Sequence, residues 1–244
     1  MEIKKVILIL KNEEDEKIYS FLEKLKNKKN IQLKIYTLKK DLKFDSATFV
    51  SEDLFETINN ILEKENPDII VFHKDRLDPF KMIFTKPEYI KLAQAYKNQK
   101  FLFLDPSIEN ITKIGVVIDF PDDFDFTNFI KDSYKISKFF DSEIEYIFSF
   151  HEEYYEYALK KTHTEKEAKE IIKSMKEEKI EKIKETLAKA LEGKNAKLKI
   201  LEGEPKRVIP YYMIENKFDL AIISQSLKDV SHYIENIEIS IGII

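Results

Sequence analysis

Nine short apolar runs, each bounded by polar segments, alternate along the chain with stretches whose apolar residues recur every three or four positions. The run VILIL at residues 6–10 is continuous and rich in β-branched side chains, as expected of a strand covered on both faces. Ile18, Phe21, Leu22 and Leu25 then fall at helical spacing, with Asn12 available as N-cap. Such strand–helix alternation predicts an α/β fold with helices on both faces of parallel sheet.

The pattern continues with a strand at 31–36, a loop through 41–46, a helix from about 51 to 64, and a buried strand, PDIIVFH, at 67–73. A helix at 86–97, with Pro87 in its first turn, precedes the closing strand FLFL at 101–104. The second part repeats the plan: strand 114–118, helix 126–140, strand 144–150, helix 164–191, strand 196–201, helix 205–215, strand 218–223 and a last strand at 237–244. On the long charged helix Ala168, Ile172, Met175, Ile183, Leu187 and Leu191 form one stripe, and Gly193 stands in the usual terminating position. Aligning Lys11 with Asp119, and Asp68 with Asp219, makes the second copy about 43 residues longer than the first between these landmarks. The expectation is two related units, 1–110 (trimmed) and 111–244, meeting near residues 106–112 without a flexible linker.

Composition removes several classes. The 244 residues carry 41 basic and 45 acidic side chains, a net charge of −4, which argues against general nucleic-acid binding. The balance is +1 over residues 1–110 and −5 over 111–244, so neither half reads as a polyanion-binding surface. No apolar run approaches the ~20 residues that cross a bilayer, which predicts no membrane partner. Without cysteine there is no disulfide framework, thiolate metal site or cysteine nucleophile. The opening MEIKKVILILKNEED reads as a poor signal peptide, so the cytoplasm is the expected location. A Lys/Glu-dominated charge set without tryptophan resembles proteins of heat-loving organisms.

In the second half, IGVVID is a strand ending in Asp119, Gly203-Glu204-Pro205 opens a helix, and Asp219-Leu220 begins a strand. In that order these landmarks resemble a universal stress protein domain over residues 111–244; VILIL, PDIIVF and FLFL extend the likeness more weakly to 1–110. The resemblance implies two universal-stress-protein-like, Rossmann-like units related to adenine nucleotide alpha hydrolases, each a five-stranded parallel sheet with helices on both faces, in two stacked sheets. It also implies a last strand that pairs with its counterpart, here 101–104 with 237–244, giving a pseudo-dimer within one chain. An uncovered IEISIGII edge would invite aggregation, so that strand is expected to be covered.

ATP-binding members of that family carry Gly-x2-Gly-x9-Gly-(Ser/Thr) after the fourth strand, where amides grip phosphates. That grip needs glycine, because a side chain blocks the close approach of backbone to phosphate. The four glycines here are Gly115, Gly193, Gly203 and Gly242, and none follows residue 223 until Gly242. The first half offers His73-Lys74-Asp75-Arg76 after its corresponding strand, also without glycine, and Lys11 where the second half has Asp119. By the resemblance, Asp119 is a vestige of an adenosine contact, with Ser224, Ser226 and Lys228 as side-chain substitutes for the lost amides. The plainer reading of Asp119 is a helix cap.

Asp105, Asp119, Asp122, Asp123 and Asp125 lack calcium-loop spacing and read as an acidic start to a helix; His151 and His163 lack zinc-helix spacing. No metal site is expected. A receiver-type phosphoacceptor is disfavoured by His73 at the strand end, and His73–Arg76 reads either as a ligand cluster or as a turn with a local ion pair. No Walker loop, Gly-x-Gly-x-x-Gly turn or Gly-x-Ser-x-Gly elbow occurs. The expected function is a non-catalytic, stress-associated regulatory protein without cofactor. It would work through protein partners or self-association by its terminal strands, with the helix 164–191 as an arm. The alternatives are a degenerate sensor of ATP or another adenine nucleotide, and an adenine-nucleotide hydrolase on the same scaffold.

Overall fold

The computed structural model describes residues 2–42, 44, 46–75, 88–121, 124–194, 196–227 and 230–244. In the first unit β1 (Lys5–Leu10) leads through a 3-10 turn capped by Asn12 into α1 (Glu16–Lys29) and β2 (Gln32–Thr37). A short β3 (Ala47–Phe49), α2 (Leu54–Glu65), β4 (Ile69–His73), α3 (Glu88–Ala95) and β5 (Phe101–Leu104) complete it. The second unit runs β6 (Lys113–Ile118), α4 (Thr127–Phe140), β7 (Glu143–Phe150), α5 (Glu152–Leu159), α6 (Glu165–Ala190) and β8 (Lys197–Glu202). It ends with α7 (Pro205–Glu215), β9 (Leu220–Ile223), α8 (Val230–Asn236) and β10 (Ser240–Ile243).

The strands form one continuous sheet in the order β3-β2-β1-β4-β5-β10-β9-β6-β7-β8. This corrects the expectation of two stacked sheets. Each unit has the same internal order with all-parallel pairing, and the two are spliced by an antiparallel β5–β10 pair that sets Ile241 against Phe103 and Gly242 against Leu102. Pairing equivalent strands antiparallel relates the units by a local two-fold. Both edges of β10 are therefore filled and all four of its residues are buried, so the strand pairing read from the sequence is present. That strand is shorter than expected, because Ile237 still bonds back to Tyr233 at the end of α8.

Alternation within strands divides the core between the two faces. Val6, Leu8 and Leu10 point to a layer built by α1, α4 and α6, whereas Ile7 and Ile9 point to the layer of α2, α3, α7 and α8. The second unit's extra length lies mostly in α5 and α6, inserted between β7 and β8. The stripe on α6 is buried at Ala168, Ile172, Ile183 and Leu187 and packs against α4 and α5, so this helix lies on the body and is not an arm. α5, α8 and β3 were not read from the sequence. α5 buries none of its residues, α8 and β3 are only 7 and 3 residues long, and such segments give little periodic signal. Helix 51–64 begins later than expected, at Leu54, because Asp53 and not Ser51 is the N-cap, accepting from the Glu56 amide at 2.8 Å. The expected start of α3 at Pro87 lies outside the described residues. No helix among the described residues is long and apolar enough to cross a membrane.

Candidate functional site

In a parallel sheet, ligands collect at the carboxyl ends of strands where the strand order reverses. Here those points lie between β1 and β4 and between β6 and β9.

In the second unit Asp119 directly follows β6, and its carboxylate accepts a 2.6 Å hydrogen bond from the hydroxyl of Tyr233 on α8. Tyr233 is fully buried, so Asp119 is claimed by the chain's own core. Beside it a cleft of about 120 Å³ lies between the ends of β6 and β7, lined in part by Asp119, Phe120, His151, Tyr154, Lys179 and Lys182. Lys179 donates to the hydroxyl of Tyr155 at 3.0 Å, and Ser149 donates to the Gly203 carbonyl at 2.7 Å.

Ser224 and Ser226 follow β9 and line a different cleft, of about 360 Å³, shared with residues 97–100 of the first unit. Neither serine lines the cleft of Asp119. Lys228 lies outside the described residues. Three successive amides after β9 donate within the chain: Gln225 to the Ile244 carbonyl at 2.9 Å, Ser226 to Ser224 Oγ at 3.2 Å, and Leu227 to the Ser224 carbonyl at 3.2 Å. The Gln225 side chain also donates to the Gln99 carbonyl at 2.6 Å, which ties this loop to the first unit. All four glycines serve elsewhere. Gly193 and Gly203 hold turns at φ +76 and +114, and a Cβ on Gly115 or Gly242 would stand 2.7 Å from Met213 Cε or 2.9 Å from Leu102 Cδ2.

The first unit fills its corresponding point with charge. Lys11, in the place of Asp119, pairs with Asp75 at 3.2 Å and with Glu88. Asp15 is wholly buried; one carboxylate oxygen accepts from the amides of Lys11 (2.5 Å) and Asn12 (3.1 Å), and the other meets His73 Nδ1 at 2.7 Å. That hydrogen bond, with the negative charge of Asp15, raises the His73 pKa above its ordinary value. Lys74 turns the other way, donating to the carbonyls of Ile237 at 2.6 Å and Ile239 at 2.5 Å, and its burial lowers its pKa to about 8. The hydroxyl of Tyr89 is buried with no hydrogen-bond partner among the described residues, and burial pushes its pKa up. Arg76 lies outside the described residues. The sequence marked His73–Arg76 as a cluster but missed Asp15 and Tyr233, which arrive from residues 58 and 114 positions away.

Asp125 accepts from the Thr127 amide at 2.9 Å and so serves the start of α4, as the acidic-start reading expects. Asp105 caps its own turn through the Ser107 amide. Asp122 and Asp123 lie outside the described residues, and no cluster of metal-ligating side chains occurs among the described ones.

No protein-family model matches the sequence, and no curated protein matches it either. The fold, in contrast, has clear counterparts among solved structures. A functionally unknown protein from Pseudomonas aeruginosa superposes with a TM-score of 0.73 at 13% identity, covering 99% of this chain and 92% of its own. A putative universal stress protein from the same species gives 0.70 at 13% identity, over 99% of this chain and 93% of that one. The fold is that of the universal stress proteins. A universal stress protein from Archaeoglobus fulgidus supports this at a TM-score of 0.54 and 12% identity, over 97% and 95% of the two chains. Within that fold the first strand of one unit is followed by Asp119 and that of the other by Lys11, and neither described strand-end loop contains glycine.

Proposed function

We propose that this chain is a non-catalytic regulatory protein of the universal-stress-protein type, cytoplasmic and stress-associated, that acts through protein contacts and does not grip a triphosphate at the loop after β9. The observation that carries this reading is the internal use of the Gln225, Ser226 and Leu227 amides. A phosphate cradle offers backbone N–H groups to the ligand, and these would first have to break bonds to Ile244 and Ser224. The antiparallel β5–β10 splice supports a further part of the reading, a pseudo-dimer made from two tandem units in one chain. Self-association would then use surfaces other than the last strands, whose edges are filled.

A second reading, a degenerate adenine-nucleotide sensor, draws on the cleft beside Asp119 with Lys182 and Tyr154 on its wall. Its volume of about 120 Å³ is well below the roughly 300–1,000 Å³ of small-molecule sites, so an adenosine would have to open it. Thermal-shift titrations with ATP, ADP and AMP on the wild type and on Asp119→Ala separate the two readings. No shift that depends on Asp119 is expected. Stabilisation of about 2.7 kcal/mol at a hundred times the dissociation constant, lost in Asp119→Ala, would replace the first reading by the second.

A further inference from the structure

At the opposite end of the sheet, where the strands begin, a cleft of about 750 Å³ opens between the end of α1, one face of α4 and the end of α6. Its floor is apolar, formed by Ile3, Phe139 and Leu191. Its walls are basic: α4 contributes Lys131, Lys135 and Lys138, α1 contributes Lys28 and Lys29, and Lys194 stands beyond α6. The α4 lysines fall at i, i+4 and i+7, a ladder about 10 Å long at 1.5 Å per residue. Like charges at this spacing weaken an isolated helix by a few tenths of a kcal/mol. A helix-dipole role covers Lys138 in the last turn but not Lys131 near the positive start.

Among the described residues these lysines outnumber the carboxylates beside them, and Asp125 is near enough to Lys131 to feel its charge. Glu2 and Glu192 lie on the rim; Asp141 serves both Lys28 and Lys29, and Asp132 serves both Lys100 and Lys135. Among the described residues no carboxylate lies at ion-pair distance from Lys131, Lys138 or Lys194. The ammonium groups of Lys138 and Lys194 stand 5.1 and 5.2 Å from the centroid of the Tyr134 ring, which gathers two cations on one aromatic side chain. On a chain of net charge −4 this is a marked local excess of positive charge.

We propose that this cleft binds a small molecule carrying two or more closely spaced phosphates. Lys131, Lys138 and Lys194, which have no carboxylate at ion-pair distance among the described residues, supply compact charges to phosphate oxygens. Lys28, Lys29 and Lys135 add to the local potential from their own ion pairs, and the volume lies within the range of small-molecule sites. The apolar floor and the Tyr134 ring accommodate a flat organic part if the ligand has one. The cleft is separate from the loop after β9 and from Asp119, so it goes beyond the function proposed above.

Isothermal titration with sodium tripolyphosphate and with ATP tests this on the wild type, on Asp119→Ala, and on the triple variant Lys131→Glu/Lys138→Glu/Lys194→Glu. The three lysines are exposed or at the cleft edge, so the folded chain is retained. The wild type is expected to bind tripolyphosphate, less tightly as salt rises, and the triple variant to bind at least about tenfold more weakly, with Asp119→Ala unchanged. Tighter binding of ATP than of tripolyphosphate would identify a nucleotide as the source of the phosphates, and equal binding an inorganic oligophosphate. Absence of binding at low salt, equal binding by the triple variant, or retention of a glutamate decapeptide without tripolyphosphate would overturn the proposal. An ATP signal lost in Asp119→Ala but kept in the triple variant would instead count against the proposed function.

Discussion

His73 Nδ1 and Asp15 Oδ1 lie 2.7 Å apart with both side chains buried, joining the end of β4 to the turn after β1. Asp15 also anchors the amides of Lys11 and Asn12, so its charge is held from three sides. The pair raises the pKa of His73 in the folded chain. The resulting stabilisation is therefore complete below the unfolded histidine value of about 6.5 and is lost as pH rises through the folded value. Asp15→Asn is expected to cost roughly 1.5–3 kcal/mol on the acid side of this transition, because it removes the charged partner of a buried hydrogen bond, and little above it, where the imidazole is neutral. Urea denaturation of the wild type and of His73→Gln at a series of pH values checks the sign: only the wild type should lose stability on leaving the acid side of this transition.

Lys74 has the opposite sign. Burial depresses its pKa to about 8, with Asp105 and Glu238 opposing the shift, and its two acceptors are neutral carbonyls. Between about 8 and the unfolded value the unfolded chain binds the proton more tightly, so this residue makes stability rise with pH across that window. The full rise is on the order of 3 kcal/mol, from about 1.4 kcal/mol per pKa unit. Lys74→Met should flatten it in alkaline denaturation series while leaving the His73 transition in place.

Tyr233 and Asp119 test whether the strand-end aspartate is structural. If the Tyr233 hydroxyl is there to satisfy Asp119, Tyr233→Phe should cost about 1.5–3 kcal/mol, as for a hydrogen bond to a charged group, and should create no nucleotide binding. Chemical denaturation gives the first quantity and an ATP titration the second. Nucleotide binding gained in the phenylalanine variant would show that the hydroxyl had been occluding a working pocket.

The strands and the long helices were legible because their burial is periodic: VILIL has both faces covered, and α6 is capped by Thr164 in a capping box with Glu167. The pairing of 101–104 with 237–244 came from the family resemblance, and apolarity added only that the last strand needs covering, while the choice of one spliced sheet over two stacked ones depends on the antiparallel register of Leu102 and Gly242. The polar sites were less legible. His73 was visible as a polar residue at a strand end, but Asp15 looks like any acid in the first turn of a helix until the fold brings it 2.7 Å from that ring. The lysines at 131, 135 and 138 are spaced as on any solvated helix face; only the approach of Lys28, Lys29 and Lys194 from other elements makes them one wall of a cleft.

Tyr89 supplies the last prediction. Its ring packs against Phe103 at 5.2 Å between centroids, and its hydroxyl is buried without a hydrogen-bond partner among the described residues. Removing an unsatisfied buried polar group while keeping the ring recovers part of its desolvation cost, commonly about 1–3 kcal/mol. Tyr89→Phe is therefore expected to raise the midpoint of thermal unfolding, whereas Tyr89→Ala, which also opens a cavity beside Phe103, should lower stability by roughly 3–5 kcal/mol. A phenylalanine variant less stable than the wild type would mean that the hydroxyl is solvated or engaged in solution, and that the first unit's strand-end crevice is wetter than its packing of Lys11, Asp75 and Glu88 implies.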